Sequence, residues 1–493
     1  KILKKHETLV VATILVIANF LIKGFFLGTT SLAGDEPFSV YHAQMDMTTI
    51  IQLLAAGNNP PFYELILNLW IKIFGISEFS VRFPSLLFSS ISVLYIYKLG
   101  TNFLNNRVGL YAAIIYILSN YHIVYAHEAR VYSLLGMLAI MSMYYFSKAI
   151  QICTQKPNTN SEFKTAIRKT LAIVIVLNTL LIYSHYFGFF ILITQFIFVL
   201  FQKELITKYW KQVLLCGSVI AVLYLPNILI VLERFIDSSS NGTWVKPTGG
   251  IASLYDMLRL FTNEPVVTVF TILLLVSALI KSVLNKRKES TQTYNRLVIF
   301  WFTFILFFMF GFSFLVPIFL DRYLMPAAIA FSLVVALSIN YLLENQKYKD
   351  ILSVAVCILF AITVQPNKTN KRDVKGTIDK VIEIKQPNTN VAICPSSFAL
   401  NFAYYYEREL FTDYNSDDIY SNIENVLKME NIHFVDTIEN IDVSEWDDVI
   451  YLDAAADFSY PHNGIKDELN KTHVLKARYP FYEIFNVYEY EPK

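Results

Sequence analysis

Long apolar runs recur along this chain of 493 residues and constrain its fold more than any other feature. A helix needs roughly 20 apolar residues to cross about 30 Å of hydrocarbon, and about eleven runs approach that length. The mean hydropathy of +0.44 is also well above the balance of soluble domains. We therefore predict a polytopic α-helical membrane protein with a lipid bilayer as its solvent. The predicted spans lie near residues 8–27, 82–101, 108–126, 130–149, 169–185, 186–202, 211–232, 266–284, 297–316, 323–343 and 348–364.

The basic residues of the loops predict how these spans are oriented. Formal net charge is only +1, so nothing indicates a nucleic-acid partner. One further apolar run, from Pro61 to Gly75, is short and contains Glu64 and Lys72. If it lies on the membrane surface, the basic loops all fall on the N-terminal side, as expected for a cytoplasmic face; if it spans, they face outward against that rule. We therefore predict an interfacial helix here, a cytoplasmic N-terminus and an extracytoplasmic C-terminus.

The composition becomes polar after about Val364. Strand-like stretches such as "NVAICP" and "WDDVIYLDA" alternate with helical ones such as "DDIYSNIENVLKMEN". This alternation predicts a soluble α/β domain with a parallel or mixed sheet. We expect a transmembrane domain over residues 1–364 and the soluble domain over residues 365–493. The cysteines are widely spaced without a CxxC pair and indicate neither a disulfide framework nor a zinc knuckle.

The first outer loop contains an adjacent pair of acidic residues. It reads "SLAGDEPFSVYHAQMD", which places Asp35 and Glu36 between a glycine and a proline near the outer membrane face. Carboxylates near hydrocarbon tend to be hydrated, paired or functional. The alternative is a solvated helix start, because Asp favours the N-cap and Pro the first turn.

A second acidic site lies in "YHIVYAHEARVYSLL", where Glu128 and Arg130 follow the outer end of one predicted span. The alternative is an interfacial turn in which Glu128 and Arg130 are solvated or paired with each other. The two acidic sites come from different loops of the same membrane face. We expect them to converge beside a substrate at headgroup depth.

Three arginines are predicted at that face, namely Arg82, Arg130 and Arg322. Their planar forks of N–H donors match phosphate oxygens, which makes them candidate ligands for a lipid phosphate. The alternative is that they snorkel and anchor helices at the interface. Arg322 follows Asp321, which is placed to neutralise it.

Histidines and one tryptophan complete the outer-face candidates. His42, His127 and His185 are candidate substrate contacts, and with the carboxylates they make a divalent metal possible, although no metal-ligand spacing is present. The alternative is that each histidine is a hydrogen-bonded packing residue. Trp244, in the outer loop from Glu233 to Pro265, is either a sugar-stacking residue or an interface anchor.

Taken in order, four stretches resemble one family. They are "GDEPFSVYHAQ", "NNPPFYELILNLWIKIFGISEFSVRFPSLLFSSISVLYIYKLG", "VYAHEARVYSLL" and "DRYLMPAAIAF". Together they resemble the bacterial glycosyltransferase family 39-like branch of the GT-C superfamily, whose relatives include protein O-mannosyltransferases and the aminoarabinose transferase of lipid A. The resemblance covers roughly the first 200 residues well and the region of Arg322 more weakly.

The resemblance implies a membrane glycosyltransferase of GT-C type in a bacterial-type plasma (inner) membrane. Its donor would be a sugar on a polyprenyl phosphate, and its acceptor an extracytoplasmic lipid, polysaccharide or protein. Asp35 would be the catalytic base, Glu36 its partner, and Glu128 an acid that shapes the pocket. Arg82 and Arg322 would contact the donor phosphate. Asn59 stands where related sequences often carry His or Lys, so it supplies a hydrogen bond but no charge.

Two other hypotheses remain. A transporter or lipid flippase would line a path near the membrane midplane with charged residues, whereas the distinctive acids here are predicted in outer loops. It would also often show inverted repeats with broken helices, and none is evident. An inactive relative retained as a receptor or assembly subunit is the third possibility, against which the intact Asp35 and Glu36 argue.

Overall fold

Helices make up most of the chain in the computed structural model. The structure describes residues 2–55, 60–154, 161–241, 245, 249–284, 292–368, 372–413, 419–481 and 484–493. The described residues form two units. The helical unit comprises Lys1–Phe26, Ile51–Tyr63 and Arg82–Lys368. The sheet unit comprises Leu27–Ile50, Glu64–Val81 and Thr369–Lys493.

Sixteen of the described α-helices precede the polar C-terminal region. They are α1 (Ile2–Gly24), α2 (Glu36–Ala43), α3 (Met47–Ala55), α4 (Phe62–Phe74), α5 (Glu78–Leu99), α6 (Asn106–Ile117), α7 (Asn120–Ala126), α8 (Tyr132–Thr154), α9 (Ser161–Ser184), α10 (Phe189–Phe201), α11 (Lys203–Asn241), α12 (Ala252–Phe261), α13 (Pro265–Leu284), α14 (Gln292–Phe312), α15 (Met325–Leu342) and α16 (Gln346–Thr363).

The polytopic helical fold is confirmed, but the predicted number of spans is not. Among the described residues, eight helices are long and apolar enough to cross a membrane, or nine if the bent pair α6 and α7 forms one span. The apolar segment Tyr186–Phe201 is shorter, and α16 carries three charged residues in its first turns. Helix α4, in the run predicted to be interfacial, has 13 residues and a length of about 20 Å, less than the hydrocarbon thickness.

Helix α15 forms the core of the helical unit. Every residue from Met325 to Ile339 is buried, as expected for a helix that is apolar on all sides. Gly136 of α8 allows a close approach to it, because a Cβ atom there would lie 2.8 Å from Ile329 Cδ1. Small residues at such contacts let membrane helices approach closely.

A 62° bend separates α6 from α7, the short helix that ends just before the second acidic loop. Asn263, with φ of 71°, satisfies backbone groups on both sides of the bend. Its Oδ1 accepts from the Asn120 backbone N at 2.7 Å, and its Nδ2 donates to the Leu118 carbonyl at 2.9 Å. Because unpaired backbone groups are costly away from water, these bonds stabilise the break.

The C-terminal region forms the α/β fold that its sequence predicts. A mixed five-stranded sheet has the order β2-β1-β3-β5-β4, with β1 parallel to β2 and β3, and β5 antiparallel to β3 and β4. Its elements are α17 (Val374–Ile384), β1 (Asn390–Cys394), α18 (Ala399–Tyr406), α19 (Arg408–Thr412), α20 (Ile419–Lys428), β2 (Ile432–Phe434), β3 (Val449–Ala454), α21 (Ala456–Ser459), α22 (Ile465–Thr472), β4 (His473–Phe481) and β5 (Phe485–Pro492).

The sheet unit also contains residues from the N-terminal part of the chain. Helix α2 lies beside α19: the Tyr41 ring makes an edge contact with Phe411 at 5.5 Å between centroids. The Tyr41 hydroxyl donates to the Asp413 carbonyl at 2.9 Å. The Gln44 side chain donates to the Phe411 carbonyl at 3.1 Å. The first predicted outer loop is therefore bonded to residues of the C-terminal region.

Candidate functional site

The turn formed by Gly34, Asp35 and Glu36, here called the carboxylate turn, lies in the sheet unit. Gly34 has φ of 59°, in the left-handed region that side chains rarely adopt. A Cβ atom there would also clash with the guanidinium of Arg372. Helix α2 then begins directly after Asp35, with proline in its first turn, where a missing N–H costs nothing. Glycine and proline thus fix where the two carboxylates emerge.

The two carboxylates of this turn have different environments. Glu36 is only 2% exposed, and its Oε2 accepts a hydrogen bond from the Ala33 backbone N at 3.1 Å. Asp35 is exposed and makes no capping bond with its side chain to the helix that it precedes. Glu36 therefore closes the turn, while the side chain of Asp35 is exposed at the surface of the unit.

Helix α4 supports the segment that follows the carboxylate turn. Ser39 Oγ donates to Glu64 Oε1 at 2.7 Å, and both residues are buried. Asn68 Nδ2, one helical turn further, donates to the carbonyls of Ala43 and Met45 at 2.8 Å each. Sequence reasoning missed this role and used Glu64 only as evidence against a membrane span. The spacing of Glu64 and Asn68, which places two polar groups on one helix face, was the available signal.

His42 is buried beside the same segment. Its Nδ1 is 2.8 Å from the Phe38 carbonyl, and its ring lies 4.0 Å from the Phe38 ring between centroids. A ring nitrogen at this distance from a carbonyl donates its proton to it. These contacts fit a hydrogen-bonded packing residue, and a substrate contact by His42 stays a prediction.

In the helical unit, the loop between α7 and α8 carries Glu128 and Arg130. Arg130 is 8% exposed and Glu128 is half-buried. Ser133 Oγ donates to the Tyr125 carbonyl at 2.8 Å, and Ser85 Oγ lies 3.4 Å from the Arg130 carbonyl. The first bond joins α8 to the end of α7, and the second joins the loop backbone to α5.

His127 precedes Glu128 and is bonded to the end of α1. Its Nε2 lies 2.5 Å from the Lys23 carbonyl, so it donates a proton there. Its backbone N also bonds the carbonyls of Ile123 and Val124, which completes the last turn of α7. This geometry gives His127 a role in holding the loop, and its predicted substrate contact is not tested.

Arg130, His185 and Arg322 come together in the helical unit, and we call these residues the cation patch. His185 lies just after α9 and is 2% exposed. Burial first, and then the charges of Arg130 and Arg322, lower the pKa of His185 to about 3. His185 is therefore neutral at physiological pH. Its Nδ1 accepts from the Phe187 backbone N at 3.2 Å, so its Nε2 carries the proton.

The Nε2 atom of His185 is buried and has no hydrogen-bond partner among the described residues. A buried donor without an acceptor is costly, and native structures seldom leave one without a reason. The charges of the Arg130 and Arg322 guanidinium groups both lower the pKa of this histidine. An anion whose oxygen accepts the Nε2 proton would satisfy this donor.

Aromatic rings line the cation patch. The Arg322 guanidinium lies 5.8 Å from the ring centroids of both Tyr132 and Tyr323, within the range of cation–π attraction. The His185 ring lies 5.5 Å from that of Tyr323. Neither tyrosine was among the predicted site residues, although each is adjacent or nearly adjacent in sequence to a predicted arginine.

The other residues predicted for the site are Arg82, Asn59 and Trp244, and a metal ion was considered possible. Arg82 lies in the first turns of α5 and is 2% exposed, whereas a snorkelling arginine would reach the aqueous interface. Asn59 and Trp244 lie outside the described residues. Within the described ranges, no group of three or more His, Cys, Asp or Glu side chains is arranged to hold a metal ion.

Comparison with known proteins gives one family match and several matches of fold. A family model described as "Dolichyl-phosphate-mannose-protein mannosyltransferase" matches residues 58–230. No curated protein sequence matches the chain significantly.

Solved structures of similar fold cover nearly the whole chain. ArnT from Cupriavidus metallidurans in the apo state has a TM-score of 0.60 at 11% identity, covering 99% of this chain and 98% of that chain. The same protein bound to undecaprenyl phosphate has a TM-score of 0.58 at 12% identity, with 97% of each chain covered. The archaeal oligosaccharyltransferase AglB from Archaeoglobus fulgidus, in complex with an inhibitory peptide and a dolichol-phosphate, has a TM-score of 0.52 at 11% identity, covering 99% of this chain and 74% of that chain. The predicted GT-C fold is therefore confirmed.

Proposed function

We propose that this chain, with its GT-C fold, is a membrane glycosyltransferase that moves a sugar from a polyprenyl-phosphate-linked donor to an extracytoplasmic acceptor. The observation that carries the proposal is the buried Nε2 donor of His185 beside Arg130 and Arg322. A phosphate diester supplies one negative charge and several acceptor oxygens, which suit this set of donors. The similar ArnT structure bound to undecaprenyl phosphate supports the same ligand class.

The proposed reaction is a single displacement. Asp35 accepts the proton of an acceptor hydroxyl while that oxygen attacks the anomeric carbon of the sugar. The bond from the anomeric carbon to the phosphate oxygen breaks, and its electron pair leaves with the lipid phosphate. Arg130 and Arg322 stabilise the charge that develops on this leaving group, and Arg82 is a further candidate for that role. The configuration at the anomeric carbon inverts.

The other predicted residues receive supporting roles. Glu36 positions the carboxylate turn through its bond to Ala33, and Glu128 shapes the pocket. Strong general-acid help is not required by this scheme, because the lipid phosphate is already a good leaving group. The proposed site faces the extracytoplasmic side of a bacterial-type plasma membrane, with the N-terminus in the cytoplasm.

The test is transfer of radiolabelled sugar from polyprenyl-phosphate donors to endogenous acceptors in membrane vesicles. We expect wild-type protein to transfer the label and Asp35→Asn to lower the rate about 100- to 10,000-fold, the usual contribution of a general base. Asp379→Asn is the matched control, since Asp379 is an exposed acid paired with Lys375 on α17. Undiminished transfer by Asp35→Asn would remove Asp35 from catalysis. No transfer by the wild type with any polyprenyl-phosphate donor would contradict the proposed function and favour a transporter.

A further inference from the structure

We infer that the C-terminal α/β region is a positioning element of the enzyme: Tyr405 and Asn401 of α18 hold the backbone of the carboxylate turn and thereby aim Asp35. The inference rests on the proposed function, since it assumes that Asp35 is the base. It assigns a catalytic purpose to a region that carries no catalytic motif of its own.

Three consecutive residues before Asp35 are each bonded through the backbone. The Leu32 N donates to the Tyr405 hydroxyl at 2.6 Å. The Ala33 N donates to Glu36, as described above. The Gly34 carbonyl accepts from Asn401 Nδ2 at 3.3 Å. Two of the three bonds come from one helix of the C-terminal region.

Tyr405 and Asn401 act from the same face of α18, because residues four apart on a helix are neighbours. Leu32 is fully buried, so its N–H has no access to water as a substitute partner. Asn401 is 6% exposed. Loss of the Tyr405 hydroxyl would leave the buried Leu32 N–H unbonded, and loss of Asn401 would remove a hydrogen bond from the half-buried Gly34 carbonyl.

The hydroxyl of Tyr405 is itself oriented by a second bond. It donates to Glu78 Oε1 at 3.1 Å, which directs an oxygen lone pair towards the Leu32 N. Burial, and then the Glu78 carboxylate, raise the pKa of Tyr405 far above its ordinary value. The hydroxyl therefore stays protonated at any physiological pH, and both bonds persist.

Two further contacts from the C-terminal region restrain the same segment. The Arg372 guanidinium lies against Gly34, in space that a side chain at that position would occupy. The Lys375 backbone N donates to Ser31 Oγ at 3.0 Å. The segment from Ser31 to Gly34 is thus held from α17 as well as from α18.

When a catalytic base is positioned by its backbone, movement of that backbone lowers the rate of the reaction. A displacement of about 1 Å from the reactive geometry can lower a rate about 100-fold. Donor binding by the cation patch need not change. We therefore expect a loss of Tyr405 or Asn401 to lower kcat and to leave the KM for the donor close to its wild-type value.

The decisive variant is Tyr405→Phe in the full-length protein, because it removes one oxygen and keeps the ring. The matched control is Tyr406→Phe on the same helix, where the lost hydroxyl bonds Glu430 and not the turn. We expect kcat to fall roughly 10-fold or more in Tyr405→Phe and to stay unchanged in Tyr406→Phe. Adding Tyr405→Phe to Asp35→Asn should cause no further loss, because Tyr405 acts through Asp35.

Hydrogen–deuterium exchange of the folded proteins separates this inference from the proposed function. Amides of residues 31–35 should exchange faster in Tyr405→Phe and at the wild-type rate in Tyr406→Phe. Equal kcat in the two variants, with an active wild type that depends on Asp35, would overturn the inference alone. Unchanged exchange in Tyr405→Phe would overturn it whatever the activity. A wild type without transfer, but with faster exchange in Tyr405→Phe, would instead overturn the proposed function.

Discussion

The carboxylate turn and the cation patch hold their charged groups by opposite means. In the turn, the acids depend on backbone geometry: Glu36 bonds the Ala33 N–H, and the turn itself is restrained by residues of α17 and α18. In the patch, the Arg322 guanidinium lies beside aromatic rings, 5.8 Å from the ring centroids of Tyr132 and Tyr323. The turn therefore holds its carboxylates through backbone bonds, whereas the patch brings two guanidinium groups beside one neutral histidine.

This difference teaches how the two regions should respond to change. A base must approach one proton at a defined angle. Substitutions that displace the carboxylate turn slightly should therefore lower kcat. An anion is attracted by positive charge and by several N–H donors at once. Each substitution in the cation patch should therefore lower the affinity for the donor only in part. Substitutions that separate rate from affinity are the means to test this division.

The largest effect on affinity is expected for Arg322→Gln. Removing a charge-assisted donor costs about 1.5–3 kcal/mol, so binding of undecaprenyl phosphate should weaken roughly 10- to 150-fold. Arg322→Lys keeps the charge without the planar fork and should be intermediate. Binding is measured on purified protein in lipid nanodiscs. Arg107→Gln is the control, because Arg107 forms a half-exposed ion pair with Asp350. Equal affinity in Arg322→Gln and the control would contradict a phosphate site at this patch.

A smaller loss is expected for His185→Phe. The phenylalanine ring keeps the aromatic contacts but removes the Nε2 donor, so affinity for undecaprenyl phosphate should fall about 10-fold, the effect of one hydrogen bond to a charged group. Because the pKa of His185 is lowered to about 3, its charge does not change between pH 5 and pH 9. The affinity ratio of wild type to variant should therefore be constant across that range, roughly two units or more above this pKa. A ratio that rises below pH 6 would show that His185 binds as a cation.

The smallest effect is expected for Glu36→Gln. The amide oxygen of glutamine still accepts the Ala33 N–H, so kcat should change less than about 3-fold. The neighbouring substitution Asp35→Asn is expected to abolish most transfer. Comparable losses in the two variants would contradict the separate roles that burial gives these adjacent acids.

The fold was largely predictable, because membrane spans and strands are encoded by local composition. Apolar runs located the helices, and "NVAICP" and "WDDVIYLDA" located β1 and β3. The predicted number of spans is not confirmed among the described residues, because apolar content alone does not separate a complete span from the short segment Tyr186–Phe201. The same content gave no sign of the bend between α6 and α7, which is stabilised by the distant Asn263.

The candidate site was predictable in residue type but not in partners. Gly34, Asp35 and Glu36 stand out because a glycine and a proline flank two acids at a loop. The bond from Leu32 to Tyr405 joins residues 373 positions apart, and no local sequence pattern predicts it. Likewise, His127 resembles His185 in sequence context, yet its bond to the Lys23 carbonyl depends on a distant helix. Long-range partners decide whether such a residue holds the fold or remains available for a ligand.

The most direct test of this account is to measure binding and transfer on the same Asp35→Asn protein. Affinity for undecaprenyl phosphate would be measured in nanodiscs, and transfer of labelled sugar in vesicles prepared from the same cells. The account predicts wild-type affinity together with transfer at least about 100-fold slower, because the base is lost and the cation patch is intact. Parallel loss of binding and transfer, or transfer at the wild-type rate, would contradict the division between a carboxylate that does chemistry and a patch that binds the donor.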